Sequence, residues 1–365
     1  QAEADVFTQS PAHADLRFAK PDGTPLPFQV ESWDAAGRKA AIWVKLDTLK
    51  GGKADQRIRM YWGRPGAQDS SSGKAVFTAA TGFRGVWHME ADLADASPNA
   101  ITATDSGTSA ESTGRIGAAR NFNNPQAYAT TGKYLALGNP ASLNIAGVIT
   151  MEAWIRWTRS DGHRIILCHG SAPGTAPGSV FETVLRVGET KDYRAGVWTG
   201  TAHYATLIAP TADSNAWVHL AGVYTGNAWS LYRNGTKVAG MEPDTNGAKP
   251  SPGAWRIGAE YAGSVTRFFH GAVDEVRISN VAREPDWIKA EYQNQKDGQT
   301  LVAIGPSIPT ALAARSPRRS ARSTVNPAAS ALRLFHPTAD PEHAVTATGA
   351  RMRISGSAPA VPNRN

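Results

Sequence analysis

The stretch KDYRAGVWTGTAHY (191–204) gathers Tyr193, Trp198, His203 and Tyr204 among small and polar residues. Flat rings beside hydrogen-bonding groups suit sugars, because pyranose faces pack on aromatic rings while the hydroxyls find polar partners. His163, Arg164, Glu182 and Arg186 lie in neighbouring runs and can supply those partners. Glycoside hydrolysis asks for more: two carboxylates across the scissile bond, roughly 5–9 Å apart, one of them with a raised pKa. Alternate residues of a strand share a face, so a Glu-x-Asp-x-x-Glu run would be diagnostic, and the chain has none. Glu182 and Glu189 fall on opposite faces of an ideal strand, and Glu152 stands alone in MEAWIRW. A pair drawn from two strands, Glu152 with Glu182, stays open. No Gly-x-Ser-x-Gly elbow, phosphate-cradling Gly-rich loop or His-Glu-x-x-His motif occurs. The one cysteine, Cys168 in RIILCHG, reads as a buried small hydrophobe, with a reactive thiol as the alternative. It excludes an internal disulfide and a Cys-based zinc or iron–sulfur site.

These residues sit in strand-like segments. MEAWIRW, HRIILCHG, ETVLRVG, YRAGVWTG, WVHLAGVYTG, WSLYRNGTKVAG and GAVDEVRIS follow one another with turn signals between them, which points to a β-sandwich. Asn234-Gly235 between LYR and TKV predicts a type I′ hairpin, whose two central residues need positive φ. Asn234-Gly-Thr236 also matches a glycosylation sequon, but the turn explains it. REPDWIKAEYQNQ (283–295) has helical spacing, with Pro285 near the first turn, and should cap the sandwich's edge. Upstream, RKAAIWVKL and QRIRMYWG alternate apolar residues as strands of a small β domain. The expected organisation is that domain over 1–65, a Ser-rich linker over 66–81, a larger β domain over 82–304 and a disordered basic tail over 305–365.

Composition narrows the partners. The net charge is +7, but residues 309–365 contain eight Arg, no Lys and only Asp340 and Glu342 as acids, so the body is near neutral. A phosphate-tracking surface concentrates cations on the folded face, so nucleic acid is not an expected partner. No apolar run reaches the ~18 residues of a membrane span. The chain opens with Gln1 rather than Met, which fits a removed leader or an expressed fragment. The expected setting is secreted, periplasmic or cell-surface.

GVWHMEADLADASPNAITAT, GRIGAARNFNN, ITMEAWIRW, WVHLAGVYTGNAWSLYRNGTKV and GAVDEVRISNVAREPDWIKAEYQNQ occur in that order over about 82–300. Together they resemble the concanavalin-A-like, laminin-G type domain of bacterial exported proteins. The implied fold class is all-β, a jelly-roll sandwich. DLRFAKPDGTPLPFQVESWDAAGRKAAIWVKL with QRIRMYWG resembles an uncharacterised bacterial β domain that precedes such jelly rolls. In that family an extra strand comes first, so this copy is expected to be incomplete or to borrow a strand. The pair also resembles the extracytoplasmic part of some ExbB/TolQ-type proteins.

The resemblance implies a structural Ca²⁺ on Asp274 of DEVRIS, with Glu90 or Asp95 of HMEADLADAS and backbone carbonyls completing a hard-oxygen shell. It also implies that Trp87, Trp154, Trp217 and Trp229 belong to the core, leaving Trp198, with Tyr193, His203, Tyr204, Arg164, His163 and Arg186, as the ligand-binding candidates. The functional expectation is non-catalytic recognition of a glycan or cell-surface polysaccharide. The alternatives are a polysaccharide-active hydrolase or lyase using Glu152 and Glu182, and a structural module with an envelope protein partner. Fold alone does not choose among them.

Overall fold

In the computed structural model, residues 6–51, 56–170, 181–261 and 263–299 are described, together with the backbone of four strands between 302 and 355. The chain forms two compact units, Gln1–Val76 with Asp297–Asn365, and Phe77–Lys296.

In the first unit, short helices α1 (Val6–Gln9) and α2 (Gly73–Val76) flank strands β1 (Arg17–Ala19), β2 (Pro25–Leu26), β3 (Phe28–Asp34), β4 (Lys39–Val44), β5 (Leu49–Lys50) and β6 (Arg57–Trp62). On β6 the alternation of Ile58, Met60 and Trp62 with polar residues buries one face. The Ser-rich segment does not hang free. Ser71 accepts the Val30 N–H and the Ser72 N–H bonds Phe28 O, which lays it along β3.

The second unit begins with β7 (Phe83–Trp87), β8 (Thr104–Asp105), β9 (Ser109–Glu111), β10 (Ala119–Asn121), β11 (Leu135–Gly138), β12 (Ile149–Trp157), β13 (Arg164–His169) and β14 (Glu182–Val187). It continues with β15 (Asp192–Trp198), β16 (Ala202–Ile208), β17 (Val218–Tyr224), β18 (Trp229–Arg233), β19 (Thr236–Met241), β20 (Trp255–Ile257), β21 (Glu260–Tyr261), β22 (Val265–Thr266) and β23 (Gly271–Ser279), and ends in helix α3 (Pro285–Gln295). One sheet runs β19-β18-β17-β12-β23-β10-β9 with β7 also on β23; the other runs β16-β15-β14-β13-β20-β11-β8. Two antiparallel sheets packed face to face make the jelly-roll sandwich, and the chain is all-β in class.

Alternation builds the core. On β15, Tyr193, Ala195 and Val197 point inward; on β12, Ile149, Met151, Ala153, Ile155 and Trp157 do so from the other sheet. Trp87, Trp229 and Trp255 join this layer fully buried. Trp154 does not. It faces outward from β12 and is covered by α3, stacked on Tyr292 at 5.7 Å, with its indole N–H on Gln295 Oε1 at 2.5 Å. The helix therefore covers the outer face of this sheet rather than its edge, because large side chains there require a lid. Trp217 is only half-buried, beneath the Arg156 guanidinium at 5.4 Å. Asn234 and Gly235 adopt φ of 50° and 78° in the β18–β19 turn, the conformation that a type I′ hairpin demands.

Strands β24 (Val302–Ile308), β25 (Ala328–Leu334), β26 (Ala344–Val345) and β27 (Ala350–Ser355) are the described parts of the C-terminal segment. They pair within the first unit, β24 on β25, β25 on β6, β26 on β5 and β27 on β4. The rest of the expected disordered tail lies outside the described residues. No described helix is long and apolar enough to cross a membrane.

Candidate functional site

The outer face of the second sheet carries the chemistry. Register fixes three rows across β14, β15 and β16: Glu182–Trp198–Ala202, Val184–Gly196–Tyr204 and Arg186–Arg194–Thr206. Each is the outward member of an alternation whose other member fills the core. Gly196 is required at the centre, since a Cβ there would lie 1.9 Å from His203 O. The close approach of the β16 backbone at His203 leaves no space for a side chain there.

Over these rows lies a cavity of about 360 Å³, walled by His163, Glu182, Arg186, Arg194, Trp198, Ala202, Tyr204, Glu260, Tyr261 and Arg267. Trp198 is 37% exposed, a large ring left in water at the rim. Glu182 and Glu260 are buried at the base, and with the Cys168 Sγ they place ligand-type atoms within 4.8 Å of one another. Burial, and next the Glu182 charge, push the Glu260 carboxyl well above its ordinary range. Of the two neighbouring carboxyls, Glu260 is the one that burial drives toward its neutral form. Burial and the same two acids push the Cys168 thiol up, so this cysteine is an inert filler. The cation among these groups is Arg267, which pairs with Glu260 and lies 3.8 Å from Glu182. A guanidinium already occupies the place a metal would need.

Arg267 is held in the left-handed region at φ 56°, a conformation costly for a non-glycine residue. The Ile165 N–H on its carbonyl at 3.0 Å keeps it there. Arg194 is paired along its own strand with Asp192. Arg186 lies with its guanidinium 4.7 Å from the Tyr204 ring centre and Nη1 3.5 Å from Glu182. Burial, reinforced by Arg186, Arg267 and Arg194, lowers the His163 pKa to about 4. The imidazole at the cavity wall is therefore neutral.

Of the candidates named from sequence, His163, Arg186, Trp198 and Tyr204 meet in this cavity, with Glu182 among them. Tyr193 does not; it is five residues from Trp198 and so on the opposite face, fully buried between Trp157 Nε1 and Asp213 at 2.8 Å each. His203 also points the other way, to Asp244 at 3.1 Å. Arg164 is a buried scaffold, donating to Asn124 O and Phe268 O at 2.9 and 2.8 Å. Glu260, Tyr261, Arg267 and Arg194 were not singled out from sequence. Period-two alternation would have found Arg194, four residues before Trp198, but the other three arrive from a distant turn with no local pattern.

Glu152 and Glu182 are not a catalytic pair. Glu152 lies on β12 of the opposite sheet, facing outward under α3, with the whole core between them. Its neighbours are His219 at 3.9 Å and the charges of Glu291, Arg277 and Arg283.

The expected calcium ligands separate as well. Both Asp95 oxygens are filled by the N–H groups of Val86, Ser97 and Ile101 and by the Ser97 hydroxyl, at 2.8–2.9 Å. Asp95 holds its own loop. Asp274 and Glu90 both reach the turn around Gly114–Ala118, accepting the Ile116 and Ala118 N–H groups at 2.9 and 3.0 Å. Burial raises both pKa values, and Asp274 has no ion-pair partner among the described residues. Asp274 also takes the Glu275 N–H on Oδ1 at 2.8 Å, so both its oxygens are hydrogen-bonded; it shares the 114–118 turn with Glu90, whereas Asp95 serves its own loop.

Residues 129–289 match the family model of the concanavalin A-like lectin/glucanases superfamily, and residues 12–90 match that of a domain of unknown function (DUF2341). No curated protein matches the chain in sequence. Among solved structures the chain is similar to the binding domain of Paraclostridial mosquitocidal protein 1, at 13% identity and a TM-score of 0.46, covering 58% of this chain and 52% of that one. It is similar to domain 4 of an extracellular arabinanase from Geobacillus stearothermophilus in complex with arabinotriose, at 15% identity and a TM-score of 0.41, covering 57% of this chain and 97% of that one. It is also similar to the CBM40 of the Ruminococcus gnavus IT-sialidase bound to α2,3-sialyllactose, at 15% identity and a TM-score of 0.34, covering 42% and 85%. The chain thus spans about half the length of the first of these structures.

Proposed function

We propose that this protein, a concanavalin-A-like jelly roll preceded by a β domain of uncharacterised function, recognises carbohydrate outside the cell or at its surface without cleaving it. One observation carries the reading: Trp198, an exposed ring, stands at the rim of a cavity whose walls are mostly charged and hydrogen-bonding side chains. An apolar platform beside convergent polar groups is what a sugar needs from a binding site. The test is incubation with a panel of soluble and insoluble polysaccharides, following bound protein and released reducing ends in the same tubes. Retention without product, lost in Trp198→Ala, supports the reading.

The closeness of the buried Glu182 and Glu260 carboxyls, within 4.8 Å, with the Glu260 pKa pushed up by burial, favours a second reading, an enzyme in which Glu260 is the acid and Glu182 the carboxylate. Product release that is abolished by Glu260→Gln would establish it. Arg267, bound to both acids, argues for a fixed structural pair instead. A calcium ion held by Asp274 and Glu90 would tie β23 to the 114–118 turn and act on stability, on the sheet opposite the cavity.

A further inference from the structure

We propose that the sugar taken by this cavity carries a carboxylate, and that Arg186 is the residue that selects it. The inference deepens the carbohydrate reading and rests on it. Three guanidinium groups line the cavity, those of Arg186, Arg194 and Arg267. Arg194 is answered by Asp192 and Arg267 by Glu260 and Glu182. Arg186 is different. It is only 4% exposed, and among the described residues its Nε has no hydrogen-bond partner and its only ion pair is the 3.5 Å approach to Glu182, which Arg267 shares.

A guanidinium offers five N–H donors in a rigid fork. Leaving the buried Nε donor unfilled costs free energy, and Nη1 meets Glu182 only at 3.5 Å. A carboxylate fills two parallel donors at once with charge-assisted bonds. Tyr204 backs one face of the guanidinium, so the fork is pre-oriented and little side-chain entropy is lost on binding. A sugar acid seated with its ring on Trp198 lies within the same cavity as this fork. The volume, near the low end of the roughly 300–1,000 Å³ of small-ligand pockets, suits a short acidic unit.

Uronic and sialic acids both present this group, and paired ligands separate them. Titration of the full chain with polygalacturonate against its methyl ester, and with sialyllactose against lactose, compares each acid with its neutral counterpart. We expect at least one acidic member to bind tenfold or more tighter than its partner, and the pair that shows it identifies the source. Arg186→Met should bring acid and neutral forms to within twofold. If that variant does not fold, Arg186→Lys, which keeps the charge but loses the fork, should still lose most of the preference. Equal binding of acidic and neutral partners by the unaltered chain would overturn the carboxylate and leave carbohydrate recognition standing. Preference for dextran sulfate over every carboxylated ligand would replace the carboxylate with a sulfate. Binding to no glycan in the panel would remove both readings.

Discussion

Glu182 and Trp198 are direct cross-strand partners on β14 and β15, so the exposed ring stands beside the carboxyl group at the cavity's base. Cross-strand neighbours on one face lie about 5 Å apart, close enough for a sugar ring stacked on Trp198 to offer a hydroxyl to Glu182. The pair gives the site an apolar wall and an acceptor from two adjacent strands.

Trp198→Ala should therefore weaken glycan binding by about thirtyfold, the ~2 kcal/mol of a central aromatic contact. The ring lies at the surface, so the melting temperature should stay nearly unchanged. Isothermal titration beside a thermal melt checks both. A variant that loses binding only because it melts early would point to a structural tryptophan.

Glu152 makes stability depend on pH. Burial, and next the Glu291 charge, raise its pKa to about 7 against the opposing charges of Arg277 and Arg283, with neutral His219 beside it. A carboxyl whose folded pKa exceeds its unfolded value of 4.5 stabilises the fold fully below that value, and the contribution disappears as pH rises through about 7. Glu152→Gln, neutral at every pH, should be more stable than the parent at pH 8, by about 3 kcal/mol at most. Denaturant melts at pH 5 and pH 8 should show the gap opening with pH. A gap that is the same at both would mean that Glu152 is ionised throughout.

Trp154 fastens α3 to the sheet through Tyr292 and Gln295, with the Arg115 guanidinium 4.6 Å from its ring. Truncation to alanine should cost about 3–5 kcal/mol, as for large buried aromatics generally. Amide exchange should rise first in α3. Uniform loss across the unit would show that the helix is not a separable layer.

Chelation tests the proposed cation. Removing calcium from Asp274 and Glu90 should lower the melting temperature by several degrees, restored by excess calcium and absent in Asp274→Asn. An unchanged melt in chelator would leave the 114–118 turn held by hydrogen bonds alone.

Much of this architecture is legible before any coordinates, because local rules govern it. Alternation marks the strands, Asn234-Gly235 needs its turn and Pro285 starts its helix. Half of the site follows from the same rule, since Glu182, Arg186, Trp198 and Tyr204 share one outward parity set by strand register. The rest is decided by tertiary approach. Glu260, Tyr261 and Arg267 enter from β21 and the turn after β22, and neither spacing nor composition says which strands they will face. The same gap explains Glu152: a lone acid between apolar residues looks functional, whereas α3 arrives from more than a hundred positions downstream and buries it.

The strict alternation along β15 makes the site dependent on register. In β15 the odd positions are core and the even ones are cavity. One inserted residue before Gly196 would turn Arg194 or its neighbour into the sandwich and swing Tyr193 or Ala195 outward. Variation by substitution at even positions can retune the ligand while the sandwich stays intact, whereas any odd-length insertion destroys both together. Lineages carrying this domain should therefore diversify here by exchange of side chains, and change length only in the turns.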